Sequence, residues 1–446
     1  MGNTPNWSLV GKKLLKTELN FPTNHDIKEH VLFSLREYWP NTAHIIRSLP
    51  IYEVSNFSIN LPLQLVEIPL PNWATEIGIQ GKILVPTEAC IRDNSWKEVD
   101  WFLAIFLLLE SVHEREWEKR HGNIHSYSFN LKNWDTRAWD HAWVNRIAIF
   151  LNLWAKNSSS VFINKPPTRV EVTHDVDAIK KNLVTVIKRV TFLIYKMIKN
   201  RKKLRQILKI IKFIAYKDSW NKIQEIIEIE KKYGIESIFF FCPKIKRQKL
   251  SAKNFIINPS YSSRDLLQSG IIKLLKTKKV AIGLHSPYEK NINTYENIRE
   301  LETLFNIKIK QNRNHWLKFN WNETWSNLET SGIKIDSTLM FNDRMGFRNS
   351  ACIKWNPWNF QNKARHQIYA IPTILMDSHL YDYSKFSENE SIKEIEKIIL
   401  EVEAVGGSVQ TLWHTHTLSK GYNWNKGFEK LCEVVSKITK VSMRDN

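Results

Sequence analysis

Residues 173–177, "THDVD", close a β-branched run with His174, Asp175 and Asp177. Two carboxylates and an imidazole at one strand end repel and desolvate one another unless a cation or a hydrogen-bonding substrate sits among them. The pattern recurs along the chain: His285 follows "VAIGL", Arg313 and His315 stand in "NRNHW", Asp343, Arg344 and Arg348 in "NDRMGFR", Asp377 follows "TILM", and His414 and His416 stand in "LWHTH". A carboxylate and imidazoles around a divalent ion with an open position can bring the pKa of bound water towards about 7 and polarise a carbonyl. A second carboxylate can take the water's proton, an imidazole on the far side can protonate the leaving group, and an arginine can brace the base. All of these residue types are present, so metal-assisted hydrolysis is the chemistry the set predicts.

Such groups must be gathered by the elements that carry them. From residue 169 onward, apolar runs such as "RVEVTHD", "SIFFFCP", "KVAIGLHS", "IKIKQNR", "IKIDSTLMF", "QIYAIPTILMD" and "SVQTLWHTH" alternate with segments of helical periodicity. Gly234, Gly332 and Gly406 follow three of those helices, where a left-handed cap is wanted. Seven strand–helix units predict a parallel (β/α)7-type distorted barrel over 169–440, with the reactive groups on the rim at the strands' C-terminal ends. Residues 1–160 read as a smaller α+β domain with helices at "DIKEHVLFSLREYW" and "VDWFLAIFLLLESVHEREWEK" and strands at "LQLVEIPL" and "GKILVPT", and 161–168 as a linker.

"THDVD", "GLHSPY", "RNHWLKF", "DSTLMFNDRMGFRNS" and "LWHTH", in that order, resemble the polysaccharide deacetylases of the NodB-homology type, carbohydrate esterase family 4. "DWFLAIFLLLES" with "HGN" adds a likeness to the bacterial subgroup that carries an extra N-terminal domain. The resemblance covers about residues 98–417 and implies a NodB-like barrel that removes an N- or O-acetyl group from a sugar with the help of a divalent metal, zinc first, with cobalt, manganese or nickel as alternatives. It implies Asp175 as base, Asp177 and His285 as metal ligands, Arg313 as brace of the base and His414 as acid; Asp343 falls near the position of an aspartate that braces that histidine. The chain departs from the family where "HSPYE" puts Glu289 in place of the second histidine ligand. Either Glu289 ligates, or His315 fills the vacancy, or the metal site is degraded. Arg348, Tyr288, Trp316 and His174 are the candidate substrate contacts, whereas Asp377 reads as a turn or cap residue.

The 65 Lys and Arg against 45 Asp and Glu give a formal charge of +20, concentrated between Lys180 and Lys217, where thirteen cations stand without one acid. Apolar residues at helical spacing among those cations predict a basic helical insertion at about 180–217, read first as a solvated helix whose apolar face packs on its own domain, next as a membrane-surface or partner-binding helix, and last as a nucleic-acid binder, for which no module is recognisable. The four cysteines are far apart, so neither a disulfide framework nor a thiolate metal site is expected. No apolar run reaches the roughly 18 to 20 residues of a membrane span, and the first 25 residues hold no signal-peptide core. The expectation is a cytoplasmic protein, peripheral on the inner membrane face if the insertion binds there, acting on a saccharide or glycolipid. The alternatives are a catalytically inactive saccharide-binding barrel and a peripheral membrane protein run by the basic helix.

Overall fold

The structure is a computed structural model that describes residues 21–40, 46–47, 58–92, 94–156, 165–199, 207, 210–211, 213–216, 219–243, 259, 261–288 and 294–442. Glu289, one of the expected metal ligands, and residues 161–164 of the expected linker lie outside the described residues. Before the sheet come helices α1 (Asn24–Leu35), α2 (Trp101–Leu109), α3 (Val112–His121) and α4 (Trp143–Lys156) and an antiparallel hairpin, β1 (Leu65–Pro69) with β2 (Lys82–Pro86). The long helical run expected over 99–119 is two helices, because Ser111 takes a left-handed backbone with φ of 46° and turns the chain between α2 and α3. Helix α2 is apolar all round and every one of its residues is buried, as expected of a helix enclosed by other elements.

The second region is built on β3 (Thr168–Val176), β4 (Ile238–Phe241), β5 (Ala281–Ser286), β6 (Gln311–Asn314), β7 (Ile335–Asp336), a short antiparallel pair β8 (Trp358–Asn359) and β9 (Ala364–Arg365), then β10 (Tyr369–Ala370), β11 (Thr373–Met376) and β12 (Gly407–Leu412). The large sheet is parallel throughout in the order β10-β7-β6-β5-β4-β3-β12-β11. Its two outermost members are consecutive in the chain: β10 pairs with β7, β11 with β12, and only Ile371 and Pro372 separate them. Ile371 N donates to Asp336 O at 2.9 Å on one side while Gln410 N donates to Pro372 O at 2.8 Å on the other. Residues 369–376 are therefore one strand, bent at a proline that cannot donate to a ladder, and they close seven strands into a distorted (β/α)7 barrel. Helices α5 (Leu183–Lys199), α6 (Ile223–Tyr233), α7 (Thr294–Phe305), α8 (Glu388–Val405) and α9 (Asn425–Ser442) lie among the connections. The three expected glycine caps are observed, with φ of 70° at Gly234, 87° at Gly332 and 67° at Gly406.

One hydrophobic cluster runs from Ile27 to Ile438 and includes α2, α4 and the barrel. Buried polar ties cross the same boundary. Asn145 on α4 donates to Gly406 O at 2.8 Å and accepts from Cys352 N at 2.9 Å, and Arg146 pairs with Glu401 at 2.6 Å.

Candidate active site

Side chains alternate across a strand, so β3 sends Thr173 and Asp175 into the barrel and His174 the other way. His174 is buried behind the sheet, with Nδ1 at 2.8 Å from Trp413 O and Nε2 at 2.8 Å from Glu230 on α6, and so does not join the site as a substrate contact. Asp175 accepts from Arg313 Nη1 at 3.1 Å. That guanidinium is fully enclosed: it also donates to Thr173 at 2.7 Å, to Gln410 at 2.7 Å and to Ser337 O at 3.3 Å, and its cation sits 4.6 Å from the Phe240 ring centre. Burial opposes its charge and lowers its pKa, with Asp175 the first group working against that.

Asp177 lies just beyond β3 and meets three imidazoles. Its Oδ1 is 3.3 Å from His285 Nε2 and 3.6 Å from His315 Nε2, and its Oδ2 is 3.6 Å from His414 Nε2. Burial works against its charge, yet His315, His285 and His414 hold its carboxyl well below the ordinary range. Asp177, His285 and His315 offer ligand atoms that all lie within 4.8 Å of one another, the one such group among the described residues. Their hydrogen bonding favours a cation. His285 Nδ1 lies 3.0 Å from Arg313 O and donates its proton there, so Nε2 is the nitrogen that turns to the Asp177 oxygen; burial opposes the imidazolium, but Asp175 and Asp177 raise its pKa. Among the described residues, none gives the buried atoms Asp177 Oδ1, His285 Nε2 and His315 Nδ1 a hydrogen bond of ordinary geometry. One carboxylate and two imidazoles converging where positive charge is already favoured fit a divalent ion, and that donor set suits zinc.

His414 stands across Asp177 from that pair, at the end of β12. Its Nδ1 donates to Asp377 Oδ1 at 2.7 Å, and its backbone N donates to Asp377 Oδ2 at 2.9 Å. Burial disfavours the imidazolium, but Asp377, then Asp177 and Asp175, push its pKa up to about 10, so it carries a proton at neutral pH. Asp377 thus braces His414 and also, as expected of a turn or cap residue, accepts from Ser378 N at 2.7 Å. Asp343, expected near that role, instead accepts from Ser128 N at 2.8 Å and from Ser128 Oγ at 2.7 Å. Asp377 reaches His414 because it ends β11, the strand paired with the one that delivers His414, and that pairing is not written in the sequence.

Arg348 is not in the cleft either. It forms a buried pair with Glu114 of α3 and donates to Ser126 Oγ at 2.8 Å and Met340 O at 2.9 Å. Ser126 in turn donates to Leu317 O, and Asn342 Nδ2 donates to Trp316 O at 2.9 Å. These bonds hold the turn after His315, where Trp316 and Leu317 adopt left-handed φ of 56° and 45°, a conformation that non-glycine residues keep only when their surroundings impose it. The turn leaves the Trp316 ring 41% exposed beside His315. Tyr288, half-buried, has the Lys318 ammonium 4.2 Å from its ring centre.

No protein-family model and no curated protein matches the chain. Among solved structures, one similar chain is a candidate polysaccharide deacetylase from Mycobacterium smegmatis, at 14% identity and a TM-score of 0.34, covering 62% of this chain and 91% of that one. Another is a mutant of a CE4-family pseudoenzyme with restored enzymatic activity, at 12% identity and a TM-score of 0.23, covering 63% of this chain and 64% of that one. Overlap of this size decides neither activity nor substrate; the barrel closure and the grouping of Asp175, Asp177, His285, His315 and His414 stand on the chain's own atoms.

Proposed function

We propose that the protein is a metal-dependent hydrolase that removes an acetyl group from a saccharide or glycolipid. The observation that carries this reading is the trio of half-buried Asp177 with buried His285 and His315, whose ligand atoms lie within 4.8 Å of one another, flanked by an arginine-bound carboxylate and an aspartate-bound imidazole. The trio would hold the ion, zinc by preference, and when bound the ion supplies Lewis-acid polarisation of a carbonyl and a lowered pKa for bound water. Asp175, fixed in direction by Arg313, takes the proton of the attacking water. His414, kept protonated by Asp377, gives a proton to the departing amine or alcohol. Trp316 offers an exposed ring face on which a sugar can stack.

The test is release of acetate from N-acetylated and O-acetylated amino sugars by protein reconstituted with zinc, cobalt, manganese or nickel, compared with the Asp175→Asn variant. Loss of the base should slow release by about 10²- to 10⁴-fold while metal content stays unchanged. Undiminished turnover in Asp175→Asn would defeat the assignment. A protein that binds metal and saccharide yet releases no acetate would be the inactive saccharide-binding barrel.

A further inference from the structure

The insertion between β3 and β4 has two faces of opposite character. Its inner face is tied to the barrel rim: Arg189 pairs with Asp382 at 2.7 Å and its cation lies 4.5 Å from the Tyr422 ring centre. Leu193 is buried, and Phe213 is buried against Trp220 and Tyr422, whose rings border His416. The outer face is apolar and exposed. On α5, Leu183 is 74%, Ile187 53%, Ile194 40% and Ile198 78% exposed. Those four positions fall within one narrow stripe at 3.6 residues per turn. Further along, Ile207, Ile211 and Ile214, spaced four and three apart in helical backbone, are 42%, 58% and 53% exposed.

Seven large aliphatic side chains turned outward, within a stretch of thirteen cations and no acid from Lys180 to Lys217, are not the makings of a solvated helix face. We propose that this insertion is a docking surface for an anionic lipid bilayer, the aliphatic stripes entering the headgroup boundary and the net positive charge of the segment drawing it to lipid phosphates. Charge and chemistry favour this occupant over others. A second copy would bring the same positive field against itself, and nucleic acid gains nothing from rows of isoleucine. No described helix is long and apolar enough to cross a membrane, so the contact is with the surface. Because Phe213 of the insertion packs on Trp220 and Tyr422, whose rings border His416, docking would bring the barrel rim close to the lipid.

Co-sedimentation of the full chain with vesicles tests the proposal, and it needs no turnover, so it stands or falls apart from the hydrolase reading. Vesicles of equal parts phosphatidylcholine and phosphatidylglycerol should bind the protein, and phosphatidylcholine alone should not. Replacing Leu183, Ile187, Ile194 and Ile198 together by Ser should weaken binding at least about tenfold with the thermal midpoint unchanged. Should that variant fold poorly, Ile207→Ser with Ile211→Ser and Ile214→Ser provides an independent version of the same experiment. Absence of binding to anionic vesicles at low salt overturns the proposal. So does full binding by a well-folded stripe variant, or stripe-dependent association with an oligonucleotide or with itself in place of lipid.

Discussion

His414 and Asp377 show how one hydrogen bond assigns a role. With Nδ1 committed to Asp377 Oδ1 at 2.7 Å, Nε2 is the nitrogen left to face the cleft. Asp377→Asn keeps the shape but takes away the charge that sustains the imidazolium. Turnover should fall by about 10²-fold for an N-acetyl sugar. An activated aryl acetate, whose leaving group needs no proton, should lose far less. Measuring both substrates on the same variant checks the acid role, since a merely structural loss would lower the two rates equally. His315 invites a separate check at the metal. Three protein ligands are the usual minimum for a catalytic zinc, so His315→Ala should leave the purified protein with markedly less bound metal by elemental analysis. Retention of a full equivalent would mean that the third ligand is another group.

Within the barrel, Gly283 is where strand geometry and site geometry meet. A Cβ there would come 2.4 Å from the Phe240 ring, and that ring lies beneath the Arg313 guanidinium that holds Asp175. Gly283→Ala should therefore cost about 1–3 kcal/mol by urea unfolding and also lower activity, because Phe240 must shift under the bracing arginine. The same strands explain what was legible. Polar residues ending apolar runs disclosed Asp175, Asp177, His285, Arg313 and His414, because a parallel barrel collects strand ends whatever lies between them. His174 could have been set aside by parity alone, since it sits between two inward residues of β3. Asp377 against Asp343 was not decidable that way, because it depends on β11 lying beside β12 once residues 369–376 close the ring. Arg348 was hidden for a related reason: its carboxylate partner, Glu114, is on a helix of the other region, 234 residues away.

Across the whole molecule, the contact between α3 and the barrel carries a buried charge cluster in which Glu114 pairs with Arg348 and Glu118 feels both of them. Glu118 accepts from Ile124 N at 3.3 Å and from Trp321 N at 3.5 Å. Burial, and then the neighbouring Glu114, push its pKa from 4.5 up to about 7, with Arg348 opposing. Between those two pH values the folded protein holds a proton on Glu118 that the unfolded chain has released. The protonated carboxyl thus favours folding at low pH, and that contribution is lost as pH rises towards 7. Glu118→Gln keeps a neutral group of the same shape at every pH. At pH 8 the variant should be more stable than the parent by on the order of 2 to 3 kcal/mol, and near pH 4 the two should coincide. Urea midpoints measured at both pH values decide it: a constant difference would place the effect in packing, whereas a difference that opens between pH 5 and 7 would place it in the buried carboxylate that joins the N-terminal helices to the barrel.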